Sequence, residues 1–103
     1  MEVSSLSVVD KFIVGLDKQT RSKVTRLIDL LCMKEYHLGM PYSKMIESQL
    51  YELRISGRHN IRIFYTFHDD RIVLLHVISK KTDKIPLRDL ETVRERLRAL
   101  QSR

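Results

Sequence analysis

The chain of 103 residues carries 19 Lys plus Arg against 13 Asp plus Glu, a formal net charge of +6. Its length suits one modest core, so we expect a single domain over residues 1–103. With 43% apolar and 31% charged residues, the composition is that of a globular domain and excludes a disordered chain.

Targeting and redox signals are absent from the sequence. No stretch approaches the roughly 18 consecutive apolar residues of a membrane span, and the first residues lack the basic start and apolar run of a secretory signal. The single cysteine, Cys32, excludes an internal disulfide, and its apolar helical surroundings favour a packing role. We therefore expect a cytoplasmic protein with no membrane partner.

The first third of the chain has the spacing of two helices. Apolar residues recur at helical intervals over about residues 7–16, which predicts a short amphipathic helix. Asp17 suits the N-cap of a second helix that ends near Tyr36. The buried stripe of that second helix comprises Val24, Leu27, Ile28 and Leu31. Residues 1–6 supply a possible short edge strand, and residues 37–49 are a loop by composition.

The middle of the chain predicts an antiparallel meander. Three stretches, 51–56, 61–67 and 72–79, read as strands, with turn residues at 56–60 and 68–71. The third stretch is apolar on both faces, which is typical of a central strand. Pro86 suits the first turn of a last helix. The apolar stripe of that helix comprises Leu87, Leu90, Val93, Leu97 and Leu100.

These elements predict an α+β fold. An N-terminal helical hairpin packs on a small antiparallel sheet, made of the three-stranded meander and the possible N-terminal edge strand, and a C-terminal helix completes it.

The excess positive charge falls in two segments that bracket the predicted sheet, and it indicates an anionic partner such as nucleic acid. Residues 54–62 contain no acid, and residues 80–88 contain one. The basic side chains of the two segments are Arg54, Arg58, Arg62, Lys80, Lys81, Lys84 and Arg88.

Most catalytic patterns are missing. The three glycines are not clustered into a phosphate loop, and the four histidines have no zinc spacing. We therefore expect neither a metal nor a cofactor.

Glu52, Arg54 and Arg62 can project from adjacent strands, and this set suits metal-free cleavage of RNA. The ribose 2′-hydroxyl is the nucleophile, so the protein need only orient it, accept its proton and stabilise charge on the phosphate. The planar guanidinium group matches phosphate oxygens in pairs. The alternative is an ordinary Glu52–Arg62 ion pair on a solvated face.

Three segments, LYELR, IRIFY and IVLLHVISKKTDKIP followed by an amphipathic helix, resemble the RelE/HigB-like toxins of bacterial and phage toxin–antitoxin modules, and most closely their phage-derived subgroup. The resemblance includes the helical hairpin and MPYSKMIE. It implies a RelE-like fold and a metal-independent endoribonuclease that cuts mRNA on the ribosome and is neutralised by a cognate antitoxin.

Carried onto this chain, the resemblance implies that Glu52 is the general base, that Arg54 positions the phosphate and that Arg62 stabilises the transition state. Lys81 matches the catalytic basic residue after the last strand, although Lys80 matches almost as well. The side chains expected to contact RNA or the ribosome are Lys44, Arg58, Lys80 and Lys84.

Two departures from the family pattern affect the site. Ile61 replaces the usual tyrosine before the arginine, and the C-terminal helix lacks the tyrosine or histidine that acts as general acid in several relatives. Lys81 is one candidate for the acid. His76 is a rival, but its alternation with Ile72, Leu74 and Ile78 favours a core histidine.

The resulting prediction is a ribosome-dependent mRNA endoribonuclease, with an antitoxin, the ribosome and mRNA as partners. Two alternatives stay open. One is a non-enzymatic, ParE-like inhibitor of DNA gyrase on the same fold, and the other is an inactive relative that only binds nucleic acid.

Overall fold

The protein is represented by a computed structural model that describes residues 1–81 and 84–103. Five strands and three α-helices make up these residues, with one 3₁₀ turn after the second helix. In chain order the elements are β1 (Glu2–Ser5), α1 (Ser7–Val14), α2 (Lys18–Lys34), the 3₁₀ turn (Glu35–His37), β2 (Ser43–Glu47), β3 (Leu50–Ile55), β4 (Ile61–His68), β5 (Arg71–Ser79) and α3 (Leu87–Gln101).

All five strands form one mixed sheet in the order β1-β5-β4-β3-β2. The predicted meander is confirmed as β3, β4 and β5, and the possible N-terminal strand is confirmed as β1, which lies parallel to β5. The tight β4–β5 turn has Asp69 and Asp70 at φ 50° and 58°. Such positive values at both central residues suit the twist of a two-residue hairpin. The predicted α+β fold is therefore confirmed.

The prediction of a loop over residues 37–49 is wrong for Ser43–Glu47. These residues form β2, an edge strand antiparallel to β3, with Ser43 opposite Leu53 and Lys44 opposite Glu52. The Gly39 carbonyl accepts hydrogen bonds from the backbone N–H groups of Tyr42 and Ser43. Gly39 and Pro41 therefore lie in a turn that precedes β2. Pairing with β3 supplies the order that local composition does not indicate.

The helical hairpin covers one face of the sheet. The predicted N-cap is confirmed, because the Asp17 carboxylate accepts the backbone N–H of Thr20 at 3.1 Å and its hydroxyl at 2.6 Å. Apolar side chains of both helices enter a core with the hairpin-facing side chains of the strands. Its fully buried members include Val9, Val24, Leu31, Leu53, Ile63 and Tyr65.

Helix α3 packs on the opposite face. Val93 and Leu97 enter a second core that contains Phe64 and Leu75 of the sheet. Leu87, which we predicted in the apolar stripe, is exposed, so that part of the prediction is wrong. Pro86 immediately precedes the helix and its carbonyl accepts the Leu90 N–H, which places Leu87 on the outer side of the first turn.

A bulge in β5 changes which side chains face α3. Phe64 pairs with His76 and Tyr65 pairs with Leu74, so Leu75 is an extra residue between them. Leu74 therefore enters the hairpin core, whereas Leu75 enters the α3 core. Placing His76 on the face of Ile72 and Leu74, as simple alternation predicts, is wrong, since His76 contacts α3 instead.

Candidate active site

Glu52, Arg54 and Arg62 lie on one face of the sheet, the face that α3 packs against. Arg54 is directly opposite Arg62 across β3 and β4, and Glu52 is opposite Phe64 of the α3 core. Like charges that face each other across two strands repel. Glu52, two residues from Arg54 on the same strand face, supplies the negative charge that offsets this repulsion.

Four side chains form a charge cluster: Glu52, Arg54, Arg62 and Lys80. Glu52 Oε1 lies 3.5 Å from Arg62 Nε and 3.6 Å from Lys80 Nζ. Glu52 Oε2 lies 3.9 Å from Arg54 Nε. The Glu52 carboxylate therefore contacts three cationic side chains, Arg54, Arg62 and Lys80.

The charge cluster is largely covered. Glu52 is only 4% exposed and Arg62 only 7%, and the Lys80 side chain is 7% exposed. The alternative from the sequence, a Glu52–Arg62 ion pair on a solvated face, is correct about the pair but wrong about its exposure. The Arg54 side chain, at 29%, is the part of the cluster most open to solvent.

Backbone contacts fix the arginine of β4. Arg62 Nη1 donates to the Ile61 carbonyl at 3.0 Å and to the Ile55 carbonyl at 3.5 Å. Among residues 1–81 and 84–103, by contrast, no donor hydrogen-bonds the buried Glu52 Oε1. A buried carboxylate oxygen without a hydrogen bond is costly, and the nearby Arg62 and Lys80 cations offset part of that cost.

Lys80, rather than Lys81, lies in the charge cluster. The Lys80 backbone N–H donates to the Asn60 carbonyl at 2.7 Å. The pairing of β4 with β5 therefore continues one residue beyond Ser79, the last residue of β5. Alternation from Ile78 then puts the Lys80 side chain on the α3 face and sends Lys81 away, where it is exposed. Counting two residues on from Ile78 would have found this from the sequence.

The remaining predicted RNA-binding residues are exposed around the charge cluster. Lys44 on β2 is directly opposite Glu52, so its side chain rises on the same face. Arg58 lies in the exposed β3–β4 turn, and Lys84 is exposed between β5 and α3. The roles assigned to these residues stay predictions.

His76 anchors α3 to the sheet. Its Nδ1 lies 2.9 Å from Arg96 Nη1 and its Nε2 lies 2.9 Å from Asp89 Oδ1. A guanidinium group can only donate, so Nδ1 is the acceptor and the proton sits on Nε2, which donates to Asp89. These bonds satisfy both ring nitrogens, as expected of a structural histidine rather than a general acid.

A second connection between α3 and the sheet is bidentate. Arg94 Nε and Nη2 each donate to the Glu47 carboxylate at 2.9 Å. The hydrogen bonds from Arg94 hold the pKa of Glu47 below its ordinary value. Edge strand β2 is thus tied directly to the C-terminal helix.

Tyr65 has the polar partner expected of a buried tyrosine. Its hydroxyl shares a hydrogen bond with Ser43 Oγ of β2, and both residues are buried. Burial raises the pKa of Tyr65 above its ordinary value.

Residues 1–81 and 84–103 contain no group of three or more His, Cys, Asp or Glu side chains placed to hold a metal ion. Within the same ranges, none of the helices combines the length and the apolar character that a membrane crossing requires.

Comparison with known proteins identifies the family. The family described as "Phage derived protein Gp49-like (DUF891)" matches residues 11–98, which run from α1 to the last turns of α3 and include every member of the charge cluster. No curated protein matches the chain. The chain therefore belongs to the phage-derived Gp49-like family, a toxin-like family.

Proposed function

We propose that this protein is the toxin of a toxin–antitoxin pair, and that it is a metal-independent endoribonuclease acting on ribosome-bound mRNA. The observation that carries the proposal is the charge cluster, in which a buried carboxylate oxygen without a hydrogen bond lies between guanidinium and ammonium groups. Membership of the Gp49-like family supports the toxin role, and the resemblance to RelE/HigB-like toxins supports the reaction.

Each member of the charge cluster has a role in the proposed reaction. Glu52 accepts the proton of the ribose 2′-hydroxyl, the 2′-oxygen bonds to phosphorus, and the bond from phosphorus to the 5′-oxygen breaks. Lys80 donates a proton to the departing 5′-oxygen. Arg54 and Arg62 stabilise the charge that builds on the phosphate. The products are a 2′,3′-cyclic phosphate and a 5′-hydroxyl.

Substrate entry requires a rearrangement on the α3 face. Glu52 and Arg62 are covered, whereas the phosphate must reach both. Helix α3 is held to this face by its apolar core and by the Glu47–Arg94 connection. We infer that the RNA enters beside Arg54, the open end of the charge cluster, while α3 shifts on the sheet.

The test is cleavage of mRNA on programmed ribosomes, mapped by primer extension. Arg62→Ala should lose roughly two to three orders of magnitude in rate, since it removes one transition-state donor. Because Arg62 is buried, Arg54→Ala provides a second loss variant at a more exposed position, and Arg98→Ala on the exposed side of α3 is the matched control. Equal product from all four proteins, or no product from wild type, would refute the ribonuclease function.

The burial of the charge cluster favours a second candidate function. A closed carboxylate and guanidinium pair can be purely structural, which fits a ParE-like toxin that inhibits DNA gyrase without catalysis. Expression would then induce the response to DNA damage while mRNA stays intact. The ribonuclease predicts the opposite, arrested translation with cut mRNA and no DNA damage.

The proposed partners follow from the same chemistry. A basic toxin of this class is held inactive in the cytoplasm by an antitoxin whose acidic segment binds its cationic surface. Co-expression with the protein encoded by the neighbouring small reading frame should restore growth if that protein is the antitoxin.

A further inference from the structure

A groove lies between α2 and the edge of the sheet and shares Arg54 with the charge cluster. Strand β2 pairs with β3 only as far as Leu53, and the Arg54 N–H bonds the Tyr42 carbonyl, so the last residues of β3 have no strand beside them there. The groove fills this gap and has a volume of about 510 Å³. The lining residues that matter here are Lys23, Arg26, Leu27, Leu30, Tyr42 and Arg54.

The lining of the groove combines two chemistries. Leu27, Leu30 and Tyr42 provide apolar surface, and Tyr42 is 44% exposed although it is a large aromatic residue. Lys23, Arg26 and Arg54 provide three cations, and among residues 1–81 and 84–103 none of the lining side chains is acidic. A nucleotide has a flat base, whose face stacks on aromatic and apolar side chains, and a phosphate, which binds cations. It therefore suits both parts of the lining.

Arg54 connects the groove to the charge cluster. It lines the groove, and its Nε lies 3.9 Å from Glu52 Oε2. A phosphodiester bound at the charge cluster would thus have a neighbouring nucleotide within reach of the groove, since consecutive nucleotides share one backbone.

Groove dimensions favour a nucleotide over a protein helix. The volume lies within the roughly 300–1,000 Å³ of typical ligand sites. A three-turn helix, about 10 Å across and about 16 Å long, would occupy roughly twice that volume or more. An acidic helix could lie across the groove but could not fill it.

We propose that this groove is a nucleotide subsite that holds the base next to the cleaved phosphodiester, with Tyr42 as the stacking surface and Lys23 and Arg26 as contacts for the flanking phosphate. The inference rests on the proposed ribonuclease function for the identity of the bond that is cut. The site itself requires only single-stranded RNA.

Binding of a short 2′-O-methyl oligoribonucleotide tests the subsite, because the blocked 2′-oxygen prevents cleavage. Backbone amide NMR of the whole chain should show shifts concentrated in residues 23–30 and in Tyr42. Tyr42→Ala should weaken binding roughly 5- to 150-fold, the range expected for loss of one stacked base. Tyr42→Phe keeps the ring and should bind as wild type does. Circular dichroism verifies that both variants are folded.

Two results would overturn the subsite. One is wild-type affinity in Tyr42→Ala. The other is a shift of the same amides by a peptide of alternating Glu and Leu but not by the RNA, which would make the groove a protein-docking site.

The cleavage assay separates this inference from the proposed function. Cut mRNA without groove binding refutes the subsite alone. Groove binding with no cutting by wild type refutes the ribonuclease and leaves the subsite in place.

Discussion

Replacing Glu52 by glutamine should destabilise the fold much more than the same replacement at Glu47. Both residues lie in the sheet and both pair with arginine, so the chemical change is matched. They differ in their surroundings, because Glu52 is covered while the side chains of Glu47 and Arg94 are each more than a third exposed.

The magnitude follows from the distances in the charge cluster. At an effective dielectric constant near 20, each contact at 3.5–3.9 Å corresponds to about 4 kcal/mol of gross attraction, most of it offset by desolvation. Glutamine removes the negative charge that lies 3.5 Å from Arg62 Nε and 3.6 Å from Lys80 Nζ. Removing one partner of a buried pair costs about 3–5 kcal/mol, whereas an exposed pair contributes about 0–1 kcal/mol.

Urea unfolding measures the difference. With a slope of about 1–3 kcal/mol per molar, Glu52→Gln should lower the midpoint by roughly 1–5 M and Glu47→Gln by roughly 0–1 M. Adding Lys80→Met to Glu52→Gln should recover part of the loss, because one buried cation is removed together with the anion. Similar midpoints for the two glutamine variants would refute the reasoning that the Glu52 carboxylate is desolvated and serves several cations.

Three further predictions concern other sites. Burial raises the pKa of Tyr65 from its usual 10.0, so above about pH 10 the folded state keeps a proton that the unfolded state loses. The contribution of Tyr65 to stability should therefore be constant below about pH 10 and fall above it, and Tyr65→Phe should reduce that fall in pH-dependent urea unfolding. Desolvation raises the pKa of the Cys32 thiol, so a thiol reagent near neutral pH should modify it more slowly than it does the urea-unfolded chain, and equal rates would contradict this. A Cβ at Gly57 would lie 2.5 Å from Lys23 Nζ, and the backbone there has φ 158°, so Gly57→Ala should lower the free energy of unfolding by about 1 kcal/mol or more in urea titrations. In the folded variant the displaced ammonium should weaken oligoribonucleotide binding, and unchanged affinity would show that Lys23 does not contact the RNA.

Regular periodicity was enough to predict most of the fold. The alternation in β3 and β4 and the helical spacing in α1 and α2 predicted these elements to within a few residues, and Asp17 was identified as the cap that it is. The sequence did not predict strand β2, because its extended conformation comes from pairing with β3 and not from its own composition.

The sequence predicted which side chains of the candidate site share a sheet face, but it did not predict how deeply they are buried. Strand alternation correctly aligned Glu52 and Arg54, and pairing across the turn brought Arg62 opposite Arg54. Burial of Glu52 and Arg62 depends on where α3 packs, which no local pattern encodes. The β5 bulge likewise depends on tertiary packing, and it turned His76 from the hairpin side towards Asp89.

Strand β1 has a protective role that its four residues do not suggest. It pairs with the first half of β5, which is the most apolar strand and would otherwise be the outermost one. An uncovered strand of that composition is a template for adding further chains. By covering this edge of β5, the N-terminal residues protect the protein from aggregation. A variant without residues 1–5 should therefore precipitate on refolding, even though it keeps the charge cluster.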